Sequence, residues 1–322
     1  MIRYSRVIGT GGYLPEEVRT NEQISETVDT SDSWIYERTG IKSRRIAGPN
    51  ESAASMAEIA ARQAIEAAAC DPETIDLIIV ATGTPDLVYP STGCLLQQRL
   101  GIKNAVAFDV QAACSGSIFA MSIADQYIKS GAAKTVLIVG TEICSRLLDW
   151  TDRGTCILFG DGAGAILLSA SDEAGILSTH IHSDGEYKDL LYCPNPHVAT
   201  DANKHEAAYM SMRGNEVFKV AVNTLGRIVD ETLEANNMDM SEIDWLVPHQ
   251  ANIRIIAATA KKLKMSMDQV VVTLENQGNT SSASVLIAFN EAVRDGRIKR
   301  GQVVLLEAFG GGFTWGTVLI KY

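Results

Sequence analysis

The sequence predicts an α/β protein built from two similar halves, and three observations predict it. Short runs of Val, Ile and Leu, such as Leu77-Ile78-Ile79-Val80, alternate with segments of helical periodicity, the pattern of strands buried inside a parallel sheet. The chain also resembles itself. Asp76-Leu77-Ile78-Ile79-Val80 answers Asp244-Trp245-Leu246-Val247, and Ile128-Lys129-Ser130-Gly131 before Val136 answers Val293-Arg294-Asp295-Gly296 before Val303. The offset is roughly 165–168 positions, about half the chain, which predicts a duplicated unit with halves 1–172 and 173–322. Third, Ala107 to Ser117 reads as a buried strand, a tight turn of small residues and a helix start.

The elements follow in order. Ile2 to Gly12 is a first strand ending in a Gly-Gly turn. Asn21 to Gly40 is helical and charged, and Arg44-Arg45-Ile46 follows in a loop. Glu51 to Cys70 is Ala-rich and helical, closed by Asp71-Pro72. Asp76 to Thr82 is a strand and Cys94 to Leu100 a helix. The helix after the small-residue turn runs from Ser115 to Lys129, with Gly131 just past its end. Thr135 to Val139 is a strand, and Cys156 to Ser169 a turn entering another. His180 to Glu206 reads as a polar loop region over a junction, and its histidines, His180, His182, His197 and His205, carry no assigned role. Gly214 to Asn236 is a long amphipathic helix. Strands at Ile243–Val247, Val270–Leu274, Val303–Ala308 and Thr314–Ile320 then alternate with helices at Asn252–Leu263 and Ser281–Arg294.

Composition narrows the function. The 322 residues are 46% hydrophobic and 21% charged, with mean hydropathy near zero, ample for a large core. The net charge of −11 argues against a nucleic-acid surface. No apolar run approaches the ~18 residues of a membrane span. None of the six cysteines pairs as C-x-x-C or spaces with histidines as a zinc site, so no metal is expected. With no leader visible, a reducing cytoplasmic location is expected.

Cys114 falls at the helix start, where unpaired N–H groups and the macrodipole favour a thiolate. This stretch alone leaves it equally an activated nucleophile or a buried structural cysteine. Three stretches of the second half also differ from ordinary core. His249 follows a strand and precedes a helix, where binding groups gather in α/β folds, although a lone histidine there is more often structural. Gly278-Asn279-Thr280-Ser281-Ser282-Ala283-Ser284 is a run of small residues at another strand–helix junction, equally a turn capped by Thr280 or Ser281. Gly310-Gly311-Gly312 between two strands requires a special backbone or the close approach of a ligand.

Together, Cys, His and Asn on strand-end loops with a glycine loop suit thioester chemistry. Ala112-Ala113-Cys114-Ser115-Gly116, His249-Gln250-Ala251-Asn252, Gly278-Asn279-Thr280-Ser281 and Gly310-Gly311-Gly312-Phe313 resemble the thiolase superfamily, and more narrowly its β-ketoacyl-acyl-carrier-protein synthase III branch. Thr151-Asp152-Arg153-Gly154-Thr155 and Phe159 to Ala165 support the match, which spans essentially the whole chain. Elongating synthases and thiolases carry a second His where this chain has Asn279.

The resemblance implies a thiolase-like fold, two α/β halves in a five-layered αβαβα arrangement. It implies an acyltransferase that takes acetyl-CoA or another short acyl-CoA onto Cys114 and condenses it with malonyl-acyl carrier protein, with loss of CO2. No cofactor is expected, CoA thioesters being substrates. The backbone N–H groups of Cys114 and Gly311 would form the oxyanion hole, and His249 and Asn279 would stabilise the enolate. Trp34, Arg38, Arg153, Gly214, Phe218 and Asn252 would bind CoA and its pantetheine arm. Phe159 would line the acyl pocket, and Tyr89, where relatives have Phe, would close it from the partner in a homodimer. Lys219, Gln250, Arg254, Lys261 and Lys262 would meet acidic acyl carrier protein. Two other readings stay open: an acyltransferase of specialised metabolism, and a cysteine-dependent acyl-CoA hydrolase.

Overall fold

The computed structural model describes residues 4–195 and 209–322. His197 and His205 lie outside the described residues. The first half runs β1 (Tyr4–Tyr13), β2 (Glu17–Thr20), α1 (Asn21–Ser25), α2 (Asp32–Thr39), β3 (Ser43–Ile46), α3 (Ala53–Ala67), β4 (Leu77–Ala81), α4 (Thr92–Leu100), β5 (Val106–Val110), α5 (Gly116–Ser130), β6 (Thr135–Ile143) and β7 (Asp161–Ser171). The second runs β8 (Ile176–Ser183), β9 (Leu191–Tyr192), β10 (Ser211–Met212), α6 (Gly214–Asn236), β11 (Trp245–Pro248), α7 (Ile253–Lys262), α8 (Leu274–Gln277), α9 (Ser284–Arg294), β12 (Val303–Gly310) and β13 (Thr314–Lys321).

Two sheets carry the fold. One has strand order β1-β7-β6-β4-β5, the other β11-β12-β13-β8. In each, a parallel pair joins antiparallel strands: β4 runs parallel to β6, and β11 to β12. Three central elements recur at one offset. Leu77 and Trp245 open β4 and β11, Thr135 and Val303 open β6 and β12, and Gly116 and Ser284 open α5 and α9, each pair 168 positions apart. β8 is the counterpart of β1.

Central helices α5 and α9 lie between the sheets. Ile118, Met121 and Ile128 of α5 and Val285 and Phe289 of α9 share one core with Ile79, Ile138, Val304 and Val318. On the outer face of the first sheet, Met56, Ala60 and Ala64 of α3 and Leu96 of α4 pack on Ile78 and Val80. On the outer face of the second, Val229 of α6 and Ile256 and Ala260 of α7 pack on Leu246, Leu305 and Leu319. The layers are therefore helix, sheet, helix, sheet, helix, the expected thiolase-like order.

Local expectations fail in four places. Arg44, Arg45 and Ile46 are strand, not loop: β3 pairs with β2, and Arg44 is fully buried. Its guanidinium donates to Asn21 Oδ1 at 2.8 Å and to Ile157 O at 2.7 Å, partners remote in sequence. The segment from Asn21 to Gly40 forms two helices, each with its own cap, Thr20 and Ser31. Val270 to Leu274 is not a strand: Val270 makes only an isolated parallel bridge to Leu246, and α8 begins at Leu274. Finally, Ile176 to Ser183 is the edge strand of the second sheet, because its register against β13 takes up the backbone groups a loop would leave to water.

Candidate active site

Two equivalent turns face each other at the centre. Ala113 to Ser115 and Ser281 to Ala283 are single turns of 3-10 helix, each leading directly into a central helix. Ser117 Oγ of one half donates to Ser282 O of the other at 2.7 Å. A Cβ on Gly140 would stand 2.5 Å from Ser282 O, so that glycine permits the close approach. Cys114 corresponds to Ser282, and Asn279 lies three residues earlier in its own half.

A cavity of about 820 Å³ opens between these turns and α6 and α7, and Cys114, His249 and Asn279 all line it. All three are buried. Asn279 is held by its backbone: its N–H donates to Leu158 O at 2.8 Å and its carbonyl accepts Gly160 N–H at 3.0 Å. Its side-chain Oδ1 accepts Ser281 N–H at 2.8 Å, so its Nδ2–H2 is the donor left for the cavity. His249 N–H donates to Glu307 O at 2.7 Å. Burial drives the imidazole pKa down to about 3, so the ring is neutral. Its Nδ1 stands 2.5 Å from Ser284 Oγ. Ser284 Oγ also accepts Gln250 N–H at 3.4 Å and, among the described residues, has no carbonyl or carboxylate acceptor, which favours its own proton going to Nδ1. The Nε2 therefore carries the ring proton. One turn thus orients both donors, Asn279 through Ser281 and His249 through Ser284.

The small-residue run is not a side-chain cap: neither Thr280 nor Ala283 caps its helix through its side chain. Its hydroxyls turn inward instead. Ser281 Oγ donates to Glu142 Oε1 at 3.2 Å, Ser282 Oγ stands 2.8 Å from the same oxygen and 2.9 Å from Ala81 O, and Thr84 Oγ1 donates to Oε2 at 2.8 Å. Gly83 N–H also donates to this buried carboxylate.

The expected thiolate is corrected. Burial pushes the Cys114 thiol up to about 12; the nearby Ser281 hydroxyl draws it down in part, while Glu142 pushes it up. Desolvation outweighs the helix N-terminus, and the resting group is a thiol. Cys144 and Cys156 are buried core, as expected.

A Cβ on Gly310 would stand 2.6 Å from Cys114 N, which brings the glycine loop against the nucleophile's amide. Gly310 lines the cavity, and Gly311 adjoins it beside Ala113 and Leu191. At the other end, two guanidiniums lie over the Trp34 ring, Arg38 at 4.2 Å and Arg153 at 4.7 Å from its centre. Gly214, Phe218 and Asn252 line the passage between, and Asn252 Oδ1 caps α7 by accepting Arg254 N–H. Phe159 lines the wall beside Asn279.

Arg254, Lys261, Lys262 and Lys219 are exposed on α7 and α6, with Arg254 at the cavity's mouth and Lys262 leaning on Asn223 O. Gln250 is a correction. It is 1% exposed, and its amide is spent on backbone: Nε2 donates to Pro248 O and Val271 O, and Oε1 accepts Thr273 N–H. It joins β11 to the chain before α8 and offers nothing to a carrier protein. Tyr89 is 84% exposed and lines no part of this chain's cavity. Sequence reading missed Glu142, Ser284 and Glu307 as parts of the site. Of these only Ser284 carried a signal, as a member of the small polar run.

The family model described as 3-Oxoacyl-[acyl-carrier-protein (ACP)] synthase III matches residues 108–185, and the model for its C-terminal part matches residues 233–322. The chain is 67% identical over 322 residues to a β-ketoacyl-[acyl-carrier-protein] synthase III of Methylococcus capsulatus, covering all of both chains. It is 61% identical over 319 residues to that of Salmonella typhimurium, covering 99% of this chain and 100% of the other. Among solved structures, the 3-oxoacyl-[acyl-carrier-protein] synthase III from Aquifex aeolicus superposes with a TM-score of 0.93 at 46% identity, covering 99% of this chain and 100% of that one.

Proposed function

The chain belongs to the 3-oxoacyl-[acyl-carrier-protein] synthase III family, and we propose on that footing that Cys114 takes the acyl group of a short acyl-CoA, acetyl-CoA by default, and passes it to malonyl-acyl carrier protein. The observation that carries this reading is the convergence of a buried thiol with two donors of determined polarity, His249 Nε2–H and Asn279 Nδ2–H, on one cavity. Neutral donors suit an enolate, because they stabilise developing charge without protonating the carbon nucleophile.

In the first half-reaction the Cys114 sulfur attacks the thioester carbonyl, and the N–H groups of Cys114 and Gly311 hold the oxyanion. One such donor is typically worth ~3 kcal/mol. CoA leaves. In the second, His249 and Asn279 donate to the malonyl thioester carbonyl, CO2 departs, and the enolate carbon attacks the acyl-cysteine. Loss of CO2 generates the carbanion without a strong base. Trp34 with Arg38 and Arg153 beside it suits a nucleotide, the indole and planar guanidiniums offering stacking to a base and the cations pairing to phosphate.

The reading includes a homodimer and a carrier-protein dock. β5 is a sheet edge whose Val106 is 59% exposed, and Val88 and Tyr89 in the loop before α4 are 78% and 84% exposed, surfaces suited to a second copy whose pocket Tyr89 would close. Lys219, Arg254 and Lys261 give a net −11 protein a local attraction for an acidic partner. No helix among the described residues is long and apolar enough to cross a membrane. Free thiols at Cys70, Cys94, Cys114, Cys144 and Cys156 suit the reducing cytoplasm.

Intact mass after mixing with acetyl-CoA alone, beside Cys114→Ala, tests the reading. A stable gain of one acetyl group, absent from the variant, is expected. CoA release without mass gain would mean hydrolysis and overturn it.

A further inference from the structure

The offset of 168 positions gives the residues at the reaction centre counterparts in the other half. Gly310, Cys114, Ala251 and Asn252 all line the cavity. Their counterparts are Glu142, Ser282, Gly83 and Thr84, and the Glu142 carboxyl ties those four together. Its Oε1 stands 2.8 Å from Ser282 Oγ and accepts the Ser281 hydroxyl at 3.2 Å. Gly83 N–H reaches its two oxygens at 3.2 and 3.1 Å, and Thr84 Oγ1 donates to Oε2 at 2.8 Å. Glu142 is 1% exposed. Gly310 has no side chain, and a Cβ there would stand 2.6 Å from Cys114 N. One half therefore keeps an open cavity where the other packs a carboxyl.

We propose that the second half holds a closed twin of the catalytic centre, that the Glu142 side chain is its permanent ligand, and that this built-in ligand positions Asn279. The twin has Ser282 in place of Cys114 and Ala81 in place of His249, so it lacks the thiol and the ring donor. What it keeps is the turn. Ser281 holds the positive φ of 49°, and its N–H donates to Asn279 Oδ1 at 2.8 Å, which leaves Asn279 Nδ2–H2 for the cavity. The Ser281 hydroxyl ties that turn to Glu142. Ala113 holds a φ of 46° in the first half with only a methyl, so the hydroxyl is not needed to form the turn. Its effect is on where the turn stands against the first half. Ser117 Oγ, which donates to Ser282 O at 2.7 Å, holds the turn from another side. Displacing a reacting group by about 1 Å can cost about a hundredfold in rate. Glu142 is thus a positioning residue that acts through Ser281. The carboxyl serves in either protonation state, because its hydroxyl partners can donate or accept. The positioning role rests on the reading of Asn279 as an enolate donor; the twin does not.

The test is chemical rescue. Propionate is the side chain that Glu142→Gly removes, with a hydrogen in place of the bond to Cα. Tm, decarboxylation of malonyl-acyl carrier protein and acetyl transfer to Cys114 are measured in the full chain, in Glu142→Gly and in Ser281→Ala. Glu142→Gly is expected to lower Tm and to slow decarboxylation by about 30–100-fold. Propionate at constant ionic strength is expected to raise the variant's Tm and to restore decarboxylation by at least about tenfold, whereas chloride and the longer hexanoate restore neither. Acetyl transfer is expected to fall at least about tenfold less than decarboxylation. Ser281→Ala keeps the carboxyl's contacts with Gly83 and Thr84 and is expected to slow decarboxylation about tenfold. A folded Glu142→Gly that gains neither Tm nor rate from propionate overturns the twin. Equal loss and equal recovery of both half-reactions would mean a merely structural carboxyl and overturns the positioning role. Should Glu142→Gly fail to fold, Ser281→Ala decides, and decarboxylation at the normal rate in that variant overturns the proposal. Tm rescued by propionate in a protein whose unaltered form gains no acetyl mass on Cys114 would overturn the proposed function and leave the twin standing.

Discussion

Ala113 and Ser281, 168 positions apart, both hold a positive φ, 46° and 49°, without being glycine. Each non-glycine residue in that region costs about 1 kcal/mol. Both halves keep the cost, and both use it in the same way. The turn lifts the next residue to the helix mouth and swings neighbouring groups toward the pseudo-twofold axis. In one half that presents Cys114. In the other it aims Ser281 and Ser282 at Glu142.

Ser284→Ala should separate the two half-reactions. Without the hydroxyl, His249 Nδ1 loses its donor and the neutral ring populates both tautomers. Decarboxylation of malonyl-acyl carrier protein is expected to fall about 10–100-fold. Acylation of Cys114 by acetyl-CoA, which does not use Nε2–H, should stay near its normal rate. Stopped-flow CO2 release beside acyl-enzyme formation measures both.

His249 should not titrate in the working range. With its pKa near 3 the ring stays neutral above pH 5, so decarboxylation in the unaltered protein is expected to be flat from pH 5 to 8. A fall in rate centred near pH 6.5 would mean an exposed, ordinary histidine.

Gly310→Ala should silence the enzyme. The added Cβ would stand 2.6 Å from Cys114 N, in backbone that cannot yield. Acyl-enzyme formation is expected to fall at least about 100-fold, as when an oxyanion donor is lost, and mass spectrometry reads it directly.

Glu307 should make stability depend on pH. Among the described residues neither of its buried oxygens has a hydrogen-bond partner, and burial pushes its pKa up to about 8. The folded state therefore holds a proton that the unfolded chain releases above about 4.5. Stability is complete below that value and declines as pH rises toward 8, by on the order of 1.4 kcal/mol per unit. Glu307→Gln cannot titrate, so its Tm from pH 5 to 8 should lie above that of the unaltered protein and fall less steeply.

Lys219→Glu with Lys261→Glu should raise the KM for malonyl-acyl carrier protein about tenfold at low salt, and less at high salt. Acylation by acetyl-CoA should be unchanged. Equal loss in both steps would remove the docking surface from the proposal.

Much of the site was legible because it is local. Cys114 stands in a run of small residues between an apolar strand and a helix, and that pattern lies within eleven consecutive positions. The duplication was legible for the same reason, the starts of β4, α5 and β6 recurring 168 positions later at β11, α9 and β12. Gln250 was misread because nothing near it predicts that its amide would be consumed by Pro248, Val271 and Thr273. Arg44 was misread because a two-arginine tripeptide looks solvated, and it is the acceptors Arg19 O, Asn21 Oδ1 and Ile157 O, brought in from elsewhere in the chain, that allow it to be buried.

The sequence by itself determined the strands, the central helices, the duplicated plan and the residue types at the site. These follow from hydrophobic period, small-residue turns and helix ends, which are properties of neighbours along the chain. Tertiary structure alone decided the protonation states and polarities. Cys114 is a thiol because the interior removes water from it. His249 presents Nε2–H because Ser284, 35 positions away, donates to its other nitrogen. Glu142 faces Ser281 across the interface of the two halves, 139 positions along the chain. Desolvation and hydrogen-bond direction are set by whatever surrounds a group in space, and that surrounding exists only once the two halves have closed on each other.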